Sequence, residues 1–122
     1  MLFFDLFRNE PDLCDVAPGE FLFREGEKAD CMYVLVSGKG QVLVGDQVVE
    51  EPEAGAPLGE QAMIDDEPRS ASVKAISECV FARIDRKRFH FLVSQTPHFA
   101  TEVMRTMSGR LRNADRLLRS MH

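Results

Sequence analysis

The 122-residue sequence lacks several features that mark common classes of protein. No apolar stretch approaches the roughly 20 residues that a membrane-spanning helix needs. Residues 1–8 contain no basic region of the kind that opens a signal peptide. The three cysteines, Cys14, Cys31 and Cys79, lie too far apart for a metal-binding motif or a disulfide framework. We therefore expect a cytoplasmic chain with buried, reduced thiols, no metal site and no contact with a membrane.

Catalytic and nucleic-acid-binding patterns are also missing from the sequence. His90, His98 and His122 are scattered, and none is spaced from a nucleophile as a catalytic pair would be. The formal net charge of −5 argues against a nucleic-acid-binding surface, and the arginines between residues 105 and 119 are interpreted as a solvated helix face. We therefore expect neither an enzyme nor a direct partner of nucleic acid, and no cofactor.

The first two-thirds of the chain predicts β-structure. Short runs of strand-forming residues alternate with turns that contain Gly or Pro, which is typical of a sandwich or a jelly-roll barrel. Residues 69–76 alternate small or β-branched residues with polar ones and predict a half-buried strand. The predicted strands cover residues 21–24, 31–36, 41–44, 48–49, 69–76 and 79–84.

The last third of the chain predicts two helices. Asp85 is a suitable N-cap for a helix over residues 86–94, and Thr96 with Pro97 predicts the start of a second helix that runs to about Met121. Apolar residues in this long helix recur with the spacing of a heptad seam. The helix therefore either joins two copies in a homodimer or packs a Met-rich stripe on its own barrel. The predicted dimer residues are Met104, Met107, Leu111, Ala114 and Leu118.

The run Leu58-Gly59-Glu60-Gln61-Ala62-Met63, followed by Pro68-Arg69-Ser70, predicts a site for a phosphorylated sugar. Gly59 lets the backbone approach an anion, and a helical turn after it points N–H groups outward. The Arg69 guanidinium suits phosphate, and the Glu60 carboxylate can accept a hydrogen bond from a sugar hydroxyl. A plain helix-start acid and a surface ion-pair arginine are the alternatives. If Glu60 faces Arg69 in the empty site, a ligand phosphate has to compete with that pairing.

Nearly the whole chain resembles the cyclic-nucleotide-binding domain shared by catabolite-activator-type regulators, cyclic-nucleotide-dependent kinases and gated channels. The motifs that carry the resemblance lie at residues 19–26, 32–38, 59–72 and 97–112. It implies one domain over residues 1–122, mainly β with C-terminal helices, folded as a double-stranded β-helix (a jelly roll or β-roll). The expected parts are an N-terminal helix over 1–9, a roll over 13–85 with a phosphate-binding cassette over 58–72, and C-terminal helices over 86–121.

The resemblance also implies how the cassette would bind cAMP or cGMP. Glu60 would accept from the ribose 2′-hydroxyl, while Arg69 and Ser70 would hold the cyclic phosphate. Backbone N–H groups near the start of the helical turn would assist, and apolar residues of the roll would lie against the base. The expected nucleotide-binding residues are Gly59, Glu60, Gln61, Ala62, Arg69 and Ser70, with Leu58, Val44 and Val73 against the base.

Two departures from the family pattern leave the base preference open. Pro57-Leu58 replaces the aromatic residues usual before the cassette glycine, and Ala114-Asp115 occupies positions that contact adenine in the catabolite-activator branch. Asp115 could instead accept from a guanine edge. We expect a small signalling module without its own DNA-binding or catalytic domain. The alternatives are a nucleotide-free dimerisation or docking domain and the sensor half of a longer transcription regulator.

Overall fold

The computed structural model describes Phe7 and residues 10–121. The expected N-terminal helix over residues 1–9 lies outside the described residues except at Phe7, which is helical and buried. The rest of the described chain runs through six strands, one 3-10 turn, two further strands and two helices. The strands are β1 (Leu13–Val16), β2 (Phe21–Phe23), β3 (Cys31–Ser37), β4 (Gly40–Val44), β5 (Gln47–Glu50), β6 (Pro57–Leu58), β7 (Ser72–Ala75) and β8 (Cys79–Asp85); the 3-10 turn is Glu60–Met63, and the helices are α1 (Arg86–Gln95) and α2 (Pro97–Ser120).

The strands pair into two antiparallel sheets, in the orders β1-β8-β3-β6 and β2-β7-β4-β5. Strand β3 is apolar on both faces because each face is covered. Val34 packs in the cluster that includes the helices, whereas Leu35 packs with Val73 of the opposite sheet. The predicted mainly-β roll with C-terminal helices is confirmed.

The helices begin where the sequence predicts, but the two N-caps differ. Asp85 Oδ1 accepts a hydrogen bond from the Arg88 N–H at 2.8 Å. Thr96 is the N-cap of α2 as predicted, but its side chain makes no capping hydrogen bond. The backbone of Thr96 serves both helices instead: its N–H donates to the Leu92 carbonyl at 2.8 Å, and its carbonyl accepts from the Phe99 N–H at 2.9 Å. Neither helix of the described chain has the length and apolar character to cross a membrane.

The strand predicted over residues 69–76 is shorter than expected, since β7 covers only Ser72–Ala75. The Arg69 N–H donates to the Glu27 carbonyl at 2.8 Å, and the Arg69 carbonyl accepts from the Gly26 N–H at 2.9 Å. These bonds hold Arg69 against the turn after β2 rather than in the sheet. The end of the predicted cassette is thereby fixed in place.

The cysteines are free thiols with different environments. Cys31 and Cys79 are buried as expected, but Cys14 is only half-buried because β1 is the outer strand of its sheet. Burial raises the pKa of both the Cys14 and Cys79 thiols. Among the described residues, no group of His, Cys, Asp and Glu is arranged to hold a metal ion.

Candidate functional site

A cavity of about 510 Å³ lies between the second sheet, the 3-10 turn and the C-terminal part of α2. Strand β6 leads directly into this turn, which places the cassette residues along one wall. All nine residues that the sequence predicts as ligand contacts line this cavity: Val44, Leu58, Gly59, Glu60, Gln61, Ala62, Arg69, Ser70 and Val73. Residues as far as 29 positions apart in the chain, Val44 and Val73, are therefore brought to one site.

Gly59 meets two separate requirements at the start of the turn. Its φ of 67° lies in the left-handed region, which favours glycine. A Cβ atom at this position would also overlap Arg69 Nη1 and would lie 3.3 Å from two ring atoms of Phe23. The close approach of the backbone to the Arg69 side chain thus depends on the missing side chain of Gly59.

The Arg69 guanidinium is buried at this wall and has few partners. The residue is 7% exposed, and its guanidinium carbon lies 4.1 Å from the centroid of the Phe23 ring. Nη1 donates to the Gly59 carbonyl at 3.3 Å, and Nη2 donates to Cys31 Sγ at 3.6 Å. Nε is buried and has no hydrogen-bond partner in the described part of the chain. Among the described residues no carboxylate forms an ion pair with Arg69, so a buried positive charge faces the cavity wall unneutralised.

Glu60 pairs with Arg110 of α2 rather than with Arg69. The possible Glu60–Arg69 pairing is therefore wrong, and the phosphate of a ligand would not compete with it. The Glu60 side chain is 5% exposed. Burial raises the pKa of the Glu60 carboxyl above its ordinary value, although the charge of Arg110 opposes the rise.

Arg110 also reaches the rim of the cavity formed by β5 and β6. Its Nε and Nη2 donate to the two carboxylate oxygens of Glu50 at 2.8 and 3.0 Å, and Nη2 donates to the Pro57 carbonyl at 2.7 Å. One helical turn later, Asn113 Nδ2 donates to the Val49 carbonyl at 3.2 Å. The arginine that the sequence places on a solvated face thus points inward.

The sequence reasoning missed Glu50, Arg110 and Asn113 as site residues. A signal was present in the heptad spacing, because Arg110 lies seven residues after Val103 and seven before Leu117. Val103 is buried and Leu117 lines the cavity, so the three share the inward face of α2. Exposed arginines at neighbouring positions hid this signal.

The cassette turn is tied to α1 as well as to the cavity. Ser70 Oγ donates to Gln61 Oε1 at 2.9 Å, and the Ala62 N–H donates to the Gly59 carbonyl at 3.2 Å. The Ala62 carbonyl accepts from Arg86 Nη2 at 2.9 Å, and Arg86 also pairs with Asp66 at 3.0 Å. In this state the Ala62 N–H is used within the turn itself rather than pointing to the cavity.

The predicted dimer residues divide between the inner and outer sides of α2. Met107 packs on the core of its own chain, and Ala114 and Leu118 line the cavity. Met104 and Leu111 remain 60% and 66% exposed. Packing on its own barrel therefore accounts for part of the stripe, while Met104 and Leu111 are not covered by any of the described residues.

The two α2 positions at which the sequence leaves a base contact open, Ala114 and Asp115, differ in their placement. Asp115 is exposed and does not line the cavity. Asn113, two residues earlier, lies on the cavity side of α2. Asn113 and Ala114 thus line the cavity and Asp115 does not, and a base contact from Asp115 stays a prediction.

The sequence profile of the cyclic nucleotide-binding domain matches residues 13–96. The chain belongs to this family. Residues of the chain are 36% identical over 81 positions to a cGMP-dependent protein kinase of Eimeria tenella, covering 66% of this chain and 8% of the kinase. They are 38% identical over 79 positions to a cAMP-dependent protein kinase regulatory subunit of Emericella nidulans, covering 62% of this chain and 19% of the subunit. The match therefore spans only a small part of each of these relatives.

The fold is shared with a protein of known structure. The catabolite activator protein of Thermus thermophilus superposes with a TM-score of 0.78 at 24% identity, covering 98% of this chain and 57% of that protein. At this level of identity the comparison concerns the fold alone. It extends the likeness from the roll into the long C-terminal helix.

Proposed function

We propose that the chain binds cAMP or cGMP and acts as a sensor module of a signalling protein. The observation that carries the proposal is the buried Arg69 guanidinium, which has an unpartnered Nε and no carboxylate partner among the described residues. A buried charge without a counter-ion is costly unless an anion completes the site. Membership in the cyclic nucleotide-binding domain family supports a cyclic phosphate as that anion.

The proposed pose follows from the positions of the cavity residues. The cyclic phosphate binds Arg69 and the Ser70 hydroxyl, which turns away from Gln61. The ribose hydroxyl donates to Glu60, and the base lies along the apolar wall of the second sheet. The volume of about 510 Å³ falls within the range of small-molecule pockets.

Binding is proposed to reposition the helices through the cassette turn. Arg86, the first residue of α1, holds both the Ala62 carbonyl and the Asp66 carboxylate. A shift of the turn toward a bound phosphate therefore pulls directly on the start of α1. The signal is a change in population between two helix packings.

The exposed side of α2 supports a second proposal, a homodimer through this helix. Met104 and Leu111 lie seven residues apart and are 60% and 66% exposed. We expect Leu111→Asp to shift a dimer to monomer in analytical ultracentrifugation, because a charge is placed in the seam. Arg116→Asp, on the outward side of the same helix, is the control and should leave the dimer intact. Identical sedimentation of the wild type and Leu111→Asp as monomers would contradict the dimer.

Isothermal titration calorimetry tests the proposed function. The purified chain, stripped of nucleotide, is titrated with cAMP and with cGMP, and with linear AMP as a control that lacks the cyclic phosphate. We expect saturable binding of one cyclic nucleotide per chain at micromolar or lower concentration. Failure of both cyclic nucleotides to bind would contradict the proposal and favour a nucleotide-free docking domain.

A further inference from the structure

The C-terminal half of α2 is attached to the roll mainly through one arginine. Arg110 binds Glu50 with two parallel hydrogen bonds and uses its remaining Nη1 for Glu60. Side-chain exposures of 25% for Arg110 and 31% for Glu50 show that the Arg110–Glu50 pair is partly shielded from water. Bidentate pairs of this kind are among the stronger hydrogen-bonded contacts in proteins.

Glu50 is the last residue of β5, and β5 is the outer strand of its sheet. The neighbouring Val49 carbonyl on this strand accepts from Asn113 of α2. Two adjacent residues of an edge strand thus hold two residues of the helix that covers it. A helix laid across a strand edge also shields unpaired backbone groups there.

The part of α2 beyond Asn113 covers the cavity with apolar side chains. Leu117, Leu118 and Met121 line the cavity, whereas Arg116 and Arg119 are exposed. No hydrogen bond or ion pair is described between residues 114–121 and the roll. The placement of the last two turns over the cavity therefore depends on the anchors at Arg110 and Asn113.

We propose that Glu50 is a positioning residue that clamps Arg110 and so holds the end of α2 as a lid over the bound nucleotide. This inference rests on the proposed function, in which the ribose hydroxyl donates a hydrogen bond to the Glu60 carboxylate. Glu50 lies on β5, away from the 3-10 turn that carries Glu60, and keeps its two bonds to Arg110 while this happens. The lid therefore stays closed over an occupied site, and Glu50 acts on nucleotide release without touching the nucleotide.

The rate of nucleotide release tests this role. A fluorescent cAMP or cGMP analogue is bound and then chased with unlabelled nucleotide in a stopped-flow instrument. We expect Glu50→Gln to speed dissociation by about tenfold, the factor that corresponds to losing one charge-assisted interaction, with little change in the association rate. Glu51→Gln changes an exposed neighbour and is the matched control, with wild-type rates. An unchanged dissociation rate in Glu50→Gln would overturn the proposal.

Hydrogen–deuterium exchange of the empty protein tests the clamp without nucleotide. We expect Glu50→Gln and Arg110→Gln each to speed amide exchange several-fold in residues 110–120, while exchange in α1 stays at the wild-type rate. The double variant should exchange no faster than Arg110→Gln alone, since Arg110→Gln already removes the bonds between Arg110 and Glu50. Wild-type exchange in Glu50→Gln would contradict the clamp. If the wild type binds neither cyclic nucleotide, the proposed function fails, and this measurement still decides whether Glu50 holds the lid.

Discussion

Two arginines face the same cavity in opposite circumstances. Arg69 is 7% exposed, has no carboxylate partner among the described residues and leaves Nε without a hydrogen bond. Arg110 is held by Glu50, Glu60 and the Pro57 carbonyl. One guanidinium is under-coordinated inside the protein, and the other is satisfied at its rim.

The difference separates a ligand-binding charge from a structural one. A buried charge without a partner costs folding free energy, whereas a paired charge at the rim holds two elements together. Arg69 is therefore expected to contribute to binding at the expense of stability. Arg110 is expected to contribute to the position of α2, and to the ionisation of Glu60.

The largest expected effect is that of Arg69→Met on nucleotide affinity. We expect a loss of roughly 100-fold or more, because a charged partner of the phosphate is removed, as seen by calorimetry. The melting temperature of the empty protein should stay the same or rise, because the unpaired charge is gone. Arg83→Met, in a residue that pairs with Asp12 away from the cavity, should leave affinity unchanged. If Arg69→Met kept its affinity for the nucleotide but lost much of its stability, Arg69 would be a structural residue and not a ligand-binding one.

The pH dependence of binding tests whether the Glu60 carboxylate, which pairs with Arg110, has to be charged to bind the nucleotide. Burial raises the pKa of Glu60 above its ordinary value of 4.5, against the opposing charge of Arg110. Below this raised pKa the carboxyl is protonated, so it no longer accepts as a charged group and affinity falls. We expect affinity to weaken as pH drops toward the raised pKa, at a pH above the ordinary value. Glu60→Gln should bind more weakly and show no such titration. An acid limb in calorimetry that persists in Glu60→Gln would assign it to another group.

The raised pKa of Glu60 also determines how the free energy of unfolding changes with pH. The folded state favours the protonated form, so the contribution of Glu60 to the free energy of unfolding is present at low pH. It is lost as pH rises through the raised pKa. Urea unfolding of the empty protein across this range is the corresponding measurement.

The smallest expected effect compares two glycines with left-handed backbones. Gly59 and Gly45 have φ of 67° and 61°, but a Cβ at Gly45 would meet nothing within 4 Å. Gly45→Ala should therefore cost only backbone strain, about 1–2 kcal/mol of the free energy of unfolding. Gly59→Ala should cost about 1 kcal/mol more, because the added methyl displaces Arg69. If the two variants lost equal free energy of unfolding in urea, the space between Gly59 and Arg69 would be able to accept a methyl group.

The phosphate side of the cavity could be predicted from the sequence because its residues are close in the chain. Gly59, Glu60, Arg69 and Ser70 lie within a twelve-residue stretch, and the local turn and strand geometry brings them together. The fold class was predictable for a similar reason, since short strands and turns alternate along the roll. The late start of β7 was not, because the hydrogen bonds that Arg69 accepts from the Gly26 N–H and donates to the Glu27 carbonyl replace the strand pairing that the alternation suggested.

The lid side of the cavity could not be predicted from local pattern. Glu50 and Arg110 are 60 residues apart, and their contact depends on how α2 crosses the edge of the second sheet. The partner of Glu60 could not be predicted for the same reason, since Arg110 lies on α2 and not in the cassette. Long charged side chains reach across such distances, so a helix face read as solvated can hold an inward ion pair.

A crystal structure of the chain grown with cAMP or cGMP tests the central claim most directly. We predict density for the cyclic phosphate against the Arg69 guanidinium, with Nε donating to a phosphate oxygen and the ribose at Glu60. Nucleotide bound elsewhere, or an Arg69 side chain that keeps its unpartnered Nε beside an occupied cavity, would contradict the claim.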